Sequence, residues 1–383
     1  MIDPKEIETY QKLQTPFYRY DLRLLKATID ELIAQSKPFG YHVHYAVKAN
    51  ADSRVLEMIS KAGLGADCVS GQEVQAALDH GFTSENIAFA GVGKSDWEIE
   101  LGLNNDIFTF NVESQEEIKV IQEIAHNMGK TAGIALRINP DVKANTHKYI
   151  TTGLEENKFG INMWELPDVV ELLKNSPNLN LKGLHLHIGS QITDMDPFKN
   201  MCLRINEMQN WFIDQQIRFD HINVGGGLGI DYGNPTENAV PDFKKYFGIF
   251  NEFLELRPGQ QLHFELGRAV VANMGDLITR VLYVKHGLKK KFAIVDAGMT
   301  ELIRPALYQA VHKIENLTSS SDESFKYDVV GPICESSDCF GKEMTLPETN
   351  RGDLMAVKSA GAYGEVMASN YNLRPKAPVI YVD

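Results

Sequence analysis

Short apolar runs bounded by Gly, Pro, Asn and Asp alternate with helical segments over the first two thirds of the chain. Residues 42–49, 65–70, 86–91, 107–112, 132–139, 181–189, 221–226 and 262–267 read as strands. Between them, apolar residues recur at three- and four-residue spacing, as over 53–62, 71–80 and 200–216, which predicts amphipathic helices. Eight such units in succession predict an α/β chain closed into a parallel (β/α)8 barrel of the TIM type, since open sheets usually have fewer strands. Beyond residue 268 the pattern changes. The runs 276–284, 291–297, 325–330, 353–359 and 379–382 read as strands joined by turns, which predicts a mostly antiparallel β-domain. A short run at 17–20 precedes a helix over 22–35 and is expected to pair with that second domain. The expected organisation is a barrel over 22–268 and a β-domain formed by 1–21 and 269–383. Residues 316–324, with four serines and a threonine, read as an exposed loop.

The chain has 383 residues, room for a barrel plus a smaller domain. Its 38 basic and 51 acidic side chains give a net charge of −13, which disfavours nucleic acid and anionic membranes as partners. The start has no apolar signal core, and no apolar run approaches the roughly 18 residues that span a bilayer, so a soluble, cytoplasmic protein is expected. Cys68, Cys202, Cys334 and Cys339 form no CxxC pair, which points to neither zinc nor structural disulfides. Any special cysteine would be a reactive thiol.

Candidate chemistry sits at the ends of the expected strands. Strand alternation puts His44, Ala46 and Lys48 on one face, so a long amine lies in line with a small residue. In a barrel, the ends of the strands face the chemistry, and a desolvated amine there forms Schiff bases with aldehydes. Taken alone, Lys48 could equally be a strand-end lysine reaching for water. The seventh strand ends in Gly225, Gly226 and Gly227, where a backbone without side chains can approach a phosphate; a tight turn alone would explain the same run. On the sixth strand, His185 and His187 share a face. This pair allows a metal-hydrolase reading, although no other compact ligand set accompanies it; alternatively one histidine is structural and the other stacks on a flat ring. Glu265 closes the eighth strand. Beside a pyridine it would favour the protonated nitrogen and turn the ring into an electron sink, whereas elsewhere it would simply pair with a cation.

An ordered series of segments carries a resemblance over nearly the whole chain: Tyr45-Ala46-Val47-Lys48-Ala49-Asn50, Arg137-Ile138-Asn139-Pro140, Thr146-His147-Lys148-Tyr149, Lys158-Phe159-Gly160-Ile161, His185-Leu186-His187-Ile188-Gly189-Ser190-Gln191 and Gly225-Gly226-Gly227. It continues through Glu265-Leu266-Gly267-Arg268, Arg304-Pro305-Ala306-Leu307-Tyr308, Gly331-Pro332-Ile333-Cys334-Glu335-Ser336-Ser337-Asp338 and Gly361-Ala362-Tyr363-Gly364. The chain resembles the diaminopimelate decarboxylases, among the pyridoxal-phosphate decarboxylases with the alanine-racemase-like fold. Leu266 departs from the family's usual proline.

The resemblance implies that Lys48 binds pyridoxal 5'-phosphate as an aldimine, that His187 stacks on the ring and that Glu265 faces its nitrogen. Ser190, Gly225, Gly226, Gly227, Gly267 and Arg268 would surround the phosphate, and Tyr363 would reach the cofactor. Cys334 matches the proton donor that quenches the quinonoid carbanion; without its motif it would read as a small buried apolar residue. Arg268, Arg304, Tyr308, Glu335 and Tyr363 would bind the amino-acid substrate. A substrate with a second amino-acid head needs a cation for its distal carboxylate and an anion for its ammonium. The alternative for Arg304 and Glu335 is a mutual surface ion pair of little worth.

The implied reaction is decarboxylation of meso-2,6-diaminopimelate to L-lysine and CO2, with no metal. Carboxynorspermidine, ornithine or arginine are the alternative substrates. A racemase is disfavoured by Glu265, since a racemase of this fold is expected to place arginine at the pyridine nitrogen. A non-catalytic relative need keep neither Lys48 nor Cys334. The resemblance also implies a homodimer in which Cys334 and Glu335 of each chain enter the other chain's barrel.

Overall fold

In a computed structural model, residues 2–140 and 158–383 are described; the segment Thr146-His147-Lys148-Tyr149 lies outside them. The chain divides into two compact units. One comprises Met1–Thr28, Ile230–Pro241 and Arg268–Asp383; the other comprises Ile29–Gly229 and Asp242–Gly267.

After β1 (Phe17–Asp21), which belongs to the first of these, come the barrel strands β2 (His42–Ala46), β3 (Gly65–Cys68), β4 (Ile87–Phe89) and β5 (Thr109–Val112). They continue as β6 (Ala132–Arg137), β7 (Leu179–His185), β8 (His221–Asn223) and β9 (Gln261–Leu266). All eight neighbouring pairs are parallel, and β2 closes the ring on β9, as the sequence pattern predicts.

Two strands end earlier than the apolar pattern indicates. β2 stops at Ala46, and Lys48 sits in a single 3-10 turn, Val47–Ala49, closed by the Asn50 N–H on the Val47 carbonyl at 3.1 Å. Lys48 is therefore not on the alternating face of a strand. The hydroxyl of buried Tyr45 donates to the Asn50 carbonyl at 2.8 Å and anchors this turn. Likewise β7 ends at His185, so His187 lies beyond the strand.

The barrel core has two parts. Outside the strands, the helix Phe243–Phe253 buries Phe243, Tyr246, Phe247 and Phe250, spaced at three and four residues, and the last three pack onto Phe264 of β9. Phe264 alternates with His263 and Glu265, which turn inward. Inside, near the strands' N-terminal ends, the lumen holds stacked rings of His44, Phe108 and His263, with His221 tilted against the last two. The Asn86 carbonyl can only accept, so His44 Nδ1 donates to it (3.0 Å), and His44 Nε2 then accepts from His263 Nδ1 at 2.9 Å. Burial holds all three imidazoles below their ordinary pKa, His221 at about 3. They fill the lumen as neutral rings.

The other unit contains β10 (Gly275–His286), β11 (Lys291–Val295), β12 (Ile314–Asn316), β13 (Ser324–Val330), β14 (Cys339–Pro347), β15 (Leu354–Val357) and β16 (Val379–Val382). The strand order is β12-β15-β10-β11-β13-β14, with β1 pairing both β10 and β16. Only β1–β16 and β11–β13 are parallel, so the sheet is mostly antiparallel and takes in the early strand, as expected from sequence. Strand β14 escapes a hydropathy reading because Lys342 and Glu343 interrupt it; Glu343 adopts a positive φ of 53° at an irregularity in its pairing. The segment 230–241, which the sequence pattern leaves with the barrel, groups with the β-unit. Its fold follows from Asp231, whose carboxylate accepts from the backbone of Gly233 (2.8 Å) and Asn234 (3.0 Å) and from the Asn238 side chain (2.9 Å). Among the described residues no helix is long and apolar enough to cross a membrane.

The aromatic layer gives a stability contrast. The Tyr246 hydroxyl is buried without a hydrogen-bond partner among the described residues. Tyr246→Phe should therefore leave stability unchanged or raise it by about 1 kcal/mol, whereas Phe264→Ala should cost about 3–5 kcal/mol. Denaturant midpoints of the two variants check both.

Candidate active site

Glu265, 8% exposed, accepts three side-chain hydrogen bonds in the barrel lumen. Its Oε1 accepts from Asn111 Nδ2 (3.0 Å) and Asn223 Nδ2 (2.8 Å), and its Oε2 accepts from His185 Nε2 (2.8 Å). Burial pushes this carboxyl up, but the charge and hydrogen bond of His185, with Lys48 and His44, outweigh it and hold the group well below the ordinary range. It is ionised at any working pH. Asn223 Oδ1 accepts from the Gly225 N–H at 2.9 Å, which fixes the amide's orientation and ties Glu265 to the glycine turn. With Nε2 committed, His185 is left with Nδ1 buried and unpartnered among the described residues. Those residues contain no group of three or more His, Cys, Asp or Glu that could hold a metal.

Lys48 pairs with Asp67 Oδ2 at 2.6 Å, with the lysine side chain 39% exposed and the aspartate fully buried. Burial and the charge of Glu265 push Asp67 up to about 6, against the pull of Lys48. Asp67 follows from the same strand alternation that turns Ala46 inward, because Ala46 lies in register with it. No motif marks Asp67 in the sequence; its signal there is a carboxylate inside the apolar run Gly65–Cys68.

The glycines are positioned for a backbone approach. Gly225 and Gly227 have φ of 64° and 105°, and a Cβ on Gly226 would strike the Glu265 carbonyl oxygen. The Gly226 N–H donates to His187 Nδ1 at 3.3 Å, which leaves the ring proton on Nε2; burial, Arg137 and Lys48 push that imidazole down to about 3. His187 is thus a neutral ring. Ser190 is brought beside the glycines because Ile192 pairs with Leu228 and its N–H donates to the Gly227 carbonyl at 2.9 Å. Gly267 follows β9 directly, and Leu266 is buried at the end of that strand.

Two motifs without an assigned role come together as well. Arg137 pairs with buried Glu113 at 2.8 Å and lies over the Phe159 ring at 4.9 Å, while Glu113 accepts from the Gly160 N–H at 3.1 Å. Ile138 and Ile161 form a bridge.

In the β-unit, Arg268 and Arg304 both donate through Nη1 to the hydroxyl of Tyr232, each at 2.7 Å. Arg304 is 4% exposed and opens the short helix Arg304–Tyr308, which also carries half-buried Tyr308. Tyr363, at φ 55°, places its ring 4.9 Å from the Arg268 guanidinium. Cys334 and Glu335 are exposed on the loop between β13 and β14. That loop is folded around Asp338, which accepts from the backbone of Ile333 and Met299, each at 2.7 Å. Glu335 accepts from the Tyr371 hydroxyl at 2.9 Å, and no Arg304–Glu335 ion pair occurs among the described residues.

A lysine, an ionised carboxylate, a neutral imidazole and a side-chain-free turn at one end of a barrel define a site suited to a flat cationic ring bearing an anion. Residues 26–272 match the pyridoxal binding domain of the pyridoxal-dependent decarboxylases. The chain belongs to that family. Its diaminopimelate decarboxylase branch is shown by the enzyme of that name from Bacteroides thetaiotaomicron, 58% identical over 96% of this chain and 95% of the relative. A crystal structure of diaminopimelate decarboxylase from Helicobacter pylori complexed with L-lysine is 41% identical, with TM-score 0.92, over 98% of this chain and 93% of that one. An arginine decarboxylase from Paramecium bursaria Chlorella virus, 21% identical with TM-score 0.87 over 99% of both chains, shares the fold.

The raised Asp67 carboxyl has a consequence for stability. A carboxyl with folded pKa of about 6, above its unfolded value of 3.8, binds more protons folded than unfolded, so its contribution to stability falls as pH rises from about 4 to 6. Asp67→Asn in the cofactor-free protein should remove that fall. Its stability relative to wild type should be more favourable at pH 7 than at pH 4, as read from thermal unfolding.

Proposed function

We propose that this protein binds pyridoxal 5'-phosphate through Lys48 and converts meso-2,6-diaminopimelate to L-lysine and CO2. The observation that carries the substrate assignment is Arg304, a buried guanidinium beside a second arginine, with no carboxylate partner among the described residues. A buried cation of that kind calls for an anion from the substrate, and a simple diamine precursor such as ornithine has no distal carboxylate to supply it. The substrate named for the close relatives has one.

The barrel residues fit the cofactor: the turn Gly225–Gly227 carries no side chain that could cover an anion, and the ionised Glu265 suits a protonated pyridine nitrogen. Pyridoxal phosphate, when bound, supplies a sink for the electron pair released as the carboxylate departs. Glu265, held by two amides and His185, keeps the opposing charge in place. His187 offers a neutral flat face. The glycine turn Gly225–Gly227, with Ser190, Gly267 and Arg268, would hold the phosphate, and Tyr363 lies against Arg268. Asp67 keeps a proton at Lys48 Nζ or releases the amine as its own charge changes. At the carbon that loses CO2 a C–C bond breaks and a C–H bond forms, and Cys334 donates that proton through Sγ. Arg304, Tyr308 and Glu335 hold the distal head.

The reading includes a homodimer in which Cys334 and Glu335 of each chain serve the other chain's barrel. Their exposure in the single chain supports this.

Purified protein mixed with pyridoxal phosphate should release CO2 from meso-diaminopimelate in preference to ornithine, arginine or carboxynorspermidine. A preference for ornithine would overturn the distal-carboxylate assignment. Borohydride should bleach the visible band and place the label on the Lys48 peptide; label on another lysine would refute the anchoring role.

Subunit mixing tests the dimer. Lys48→Ala and Cys334→Ala homodimers should each be nearly inactive. Random mixing makes half the dimers mixed, each with one intact site of two, so roughly a quarter of wild-type activity should return. No recovery after verified subunit exchange would remove the shared-site model.

A further inference from the structure

Tyr232 occupies no motif in the sequence analysis, yet it is the meeting point of the two arginines. The Asp231-centred turn presents it, and Asn273 braces the end of the same segment by donating to the Asn238 and Ala239 carbonyls at 3.2 and 2.9 Å. A phenol oxygen has two acceptor positions and one proton. Arg268 and Arg304 take both acceptor positions at 2.7 Å, so the hydroxyl proton points away from the two guanidiniums.

Behind Arg304 lies buried His312. Its Nδ1 donates to the Lys358 carbonyl at 2.8 Å, so its Nε2 accepts, and the donor there is the same Arg304 Nη1 at 3.1 Å. Burial and the Arg304 charge push this imidazole down to about 3, in keeping with an acceptor. Tyr232 and His312 therefore engage both protons of Arg304 Nη1. Nη2 and Nε remain, and Nε is buried with no partner among the described residues. These two nitrogens form the edge of a guanidinium that grips a carboxylate through two parallel hydrogen bonds.

We infer that Tyr232 and His312 are positioning residues for substrate specificity: together they lock the Arg304 guanidinium so that its Nε–Nη2 edge is presented to a carboxylate, with Arg268 tied to it through the same phenol oxygen. The inference rests on the proposed function and extends it from the arginines to the groups that aim them. It also separates two roles in a crowded cluster. Arg304 binds the anion, whereas Tyr232 and His312 act through Arg304.

The test compares wild type, Tyr232→Phe, His312→Leu and His312→Gln, each reconstituted with pyridoxal phosphate. Three quantities are measured: KM and kcat for meso-diaminopimelate, the ratio of inhibition constants for L-lysine and cadaverine, and the visible cofactor spectrum. Cadaverine is lysine without its carboxylate, so the ratio reads carboxylate recognition alone. Tyr232→Phe should raise KM on the order of tenfold, through loss of a charge-assisted contact, and should erase most of the preference for lysine over cadaverine. The cofactor band should be unchanged. His312→Leu should shift the ratio in the same direction, and His312→Gln should restore it, because an amide can donate to Lys358 and accept from Arg304 at once.

An unchanged lysine-to-cadaverine ratio in Tyr232→Phe, or loss of its cofactor band in step with activity, would overturn the inference. Equal behaviour of His312→Leu and His312→Gln would also overturn it, as the mark of a packing role. Failure of the underlying function would look different. Wild type itself would then leave meso-diaminopimelate unreacted or bind cadaverine as well as lysine.

Discussion

The ionised carboxylate of Glu265 in the barrel lumen is the constraint on which the site depends. A buried charge of this kind is costly unless its lone pairs are occupied, and each of its three donors comes from a different strand: Asn111 on β5, His185 on β7 and Asn223 on β8. The closed ring of parallel strands is what lets those side chains converge. Removing one donor would leave the charge partly unpaired, so the lumen tolerates little change at these positions. The same network reaches the glycine turn through Asn223, whose Oδ1 accepts from the Gly225 N–H and so links the buried charge to that backbone.

The two ends of the lumen illustrate how one architecture separates packing from chemistry. Near the strands' N-terminal ends, His44, His221 and His263 are neutral, packed ring against ring and depressed in pKa by burial. Near the C-terminal ends, Lys48 pairs with Asp67 and His185 bonds the ionised Glu265. Histidine serves in both places. What differs is whether an ionised carboxylate lies within hydrogen-bond reach.

The β-unit solves a similar problem for cations. Arg304 is buried without a carboxylate among the described residues and is held instead by neutral acceptors, Tyr232 and His312. Neutral acceptors orient a guanidinium without neutralising it, so its charge remains available to an anion. An ion pair with Glu335 would have consumed that charge, and Glu335 is engaged by Tyr371 instead.

The apolar periodicity by itself determined the eight barrel strands and the change to a mostly antiparallel sheet after residue 268, because burial on one or both faces imposes a period that can be read locally. Motif order likewise marked Lys48, Glu265, the glycines and the arginines. Tertiary structure alone decided the rest. Asp67, Asn111 and Asn223 each sit in short apolar strands, where nothing in the local pattern distinguishes a buried polar partner from an ordinary turn-facing residue. Tyr232 and His312 lie 80 residues apart in the chain and are brought together at Arg304, where their rings also meet edge to face at 4.9 Å. The ends of β2 and β7, and hence the placement of Lys48 and His187 beyond the strands, depend on hydrogen bonds that hydropathy does not register. Apolar burial is a property of each segment, whereas the satisfaction of a buried charge is a property of whichever segments the fold brings together.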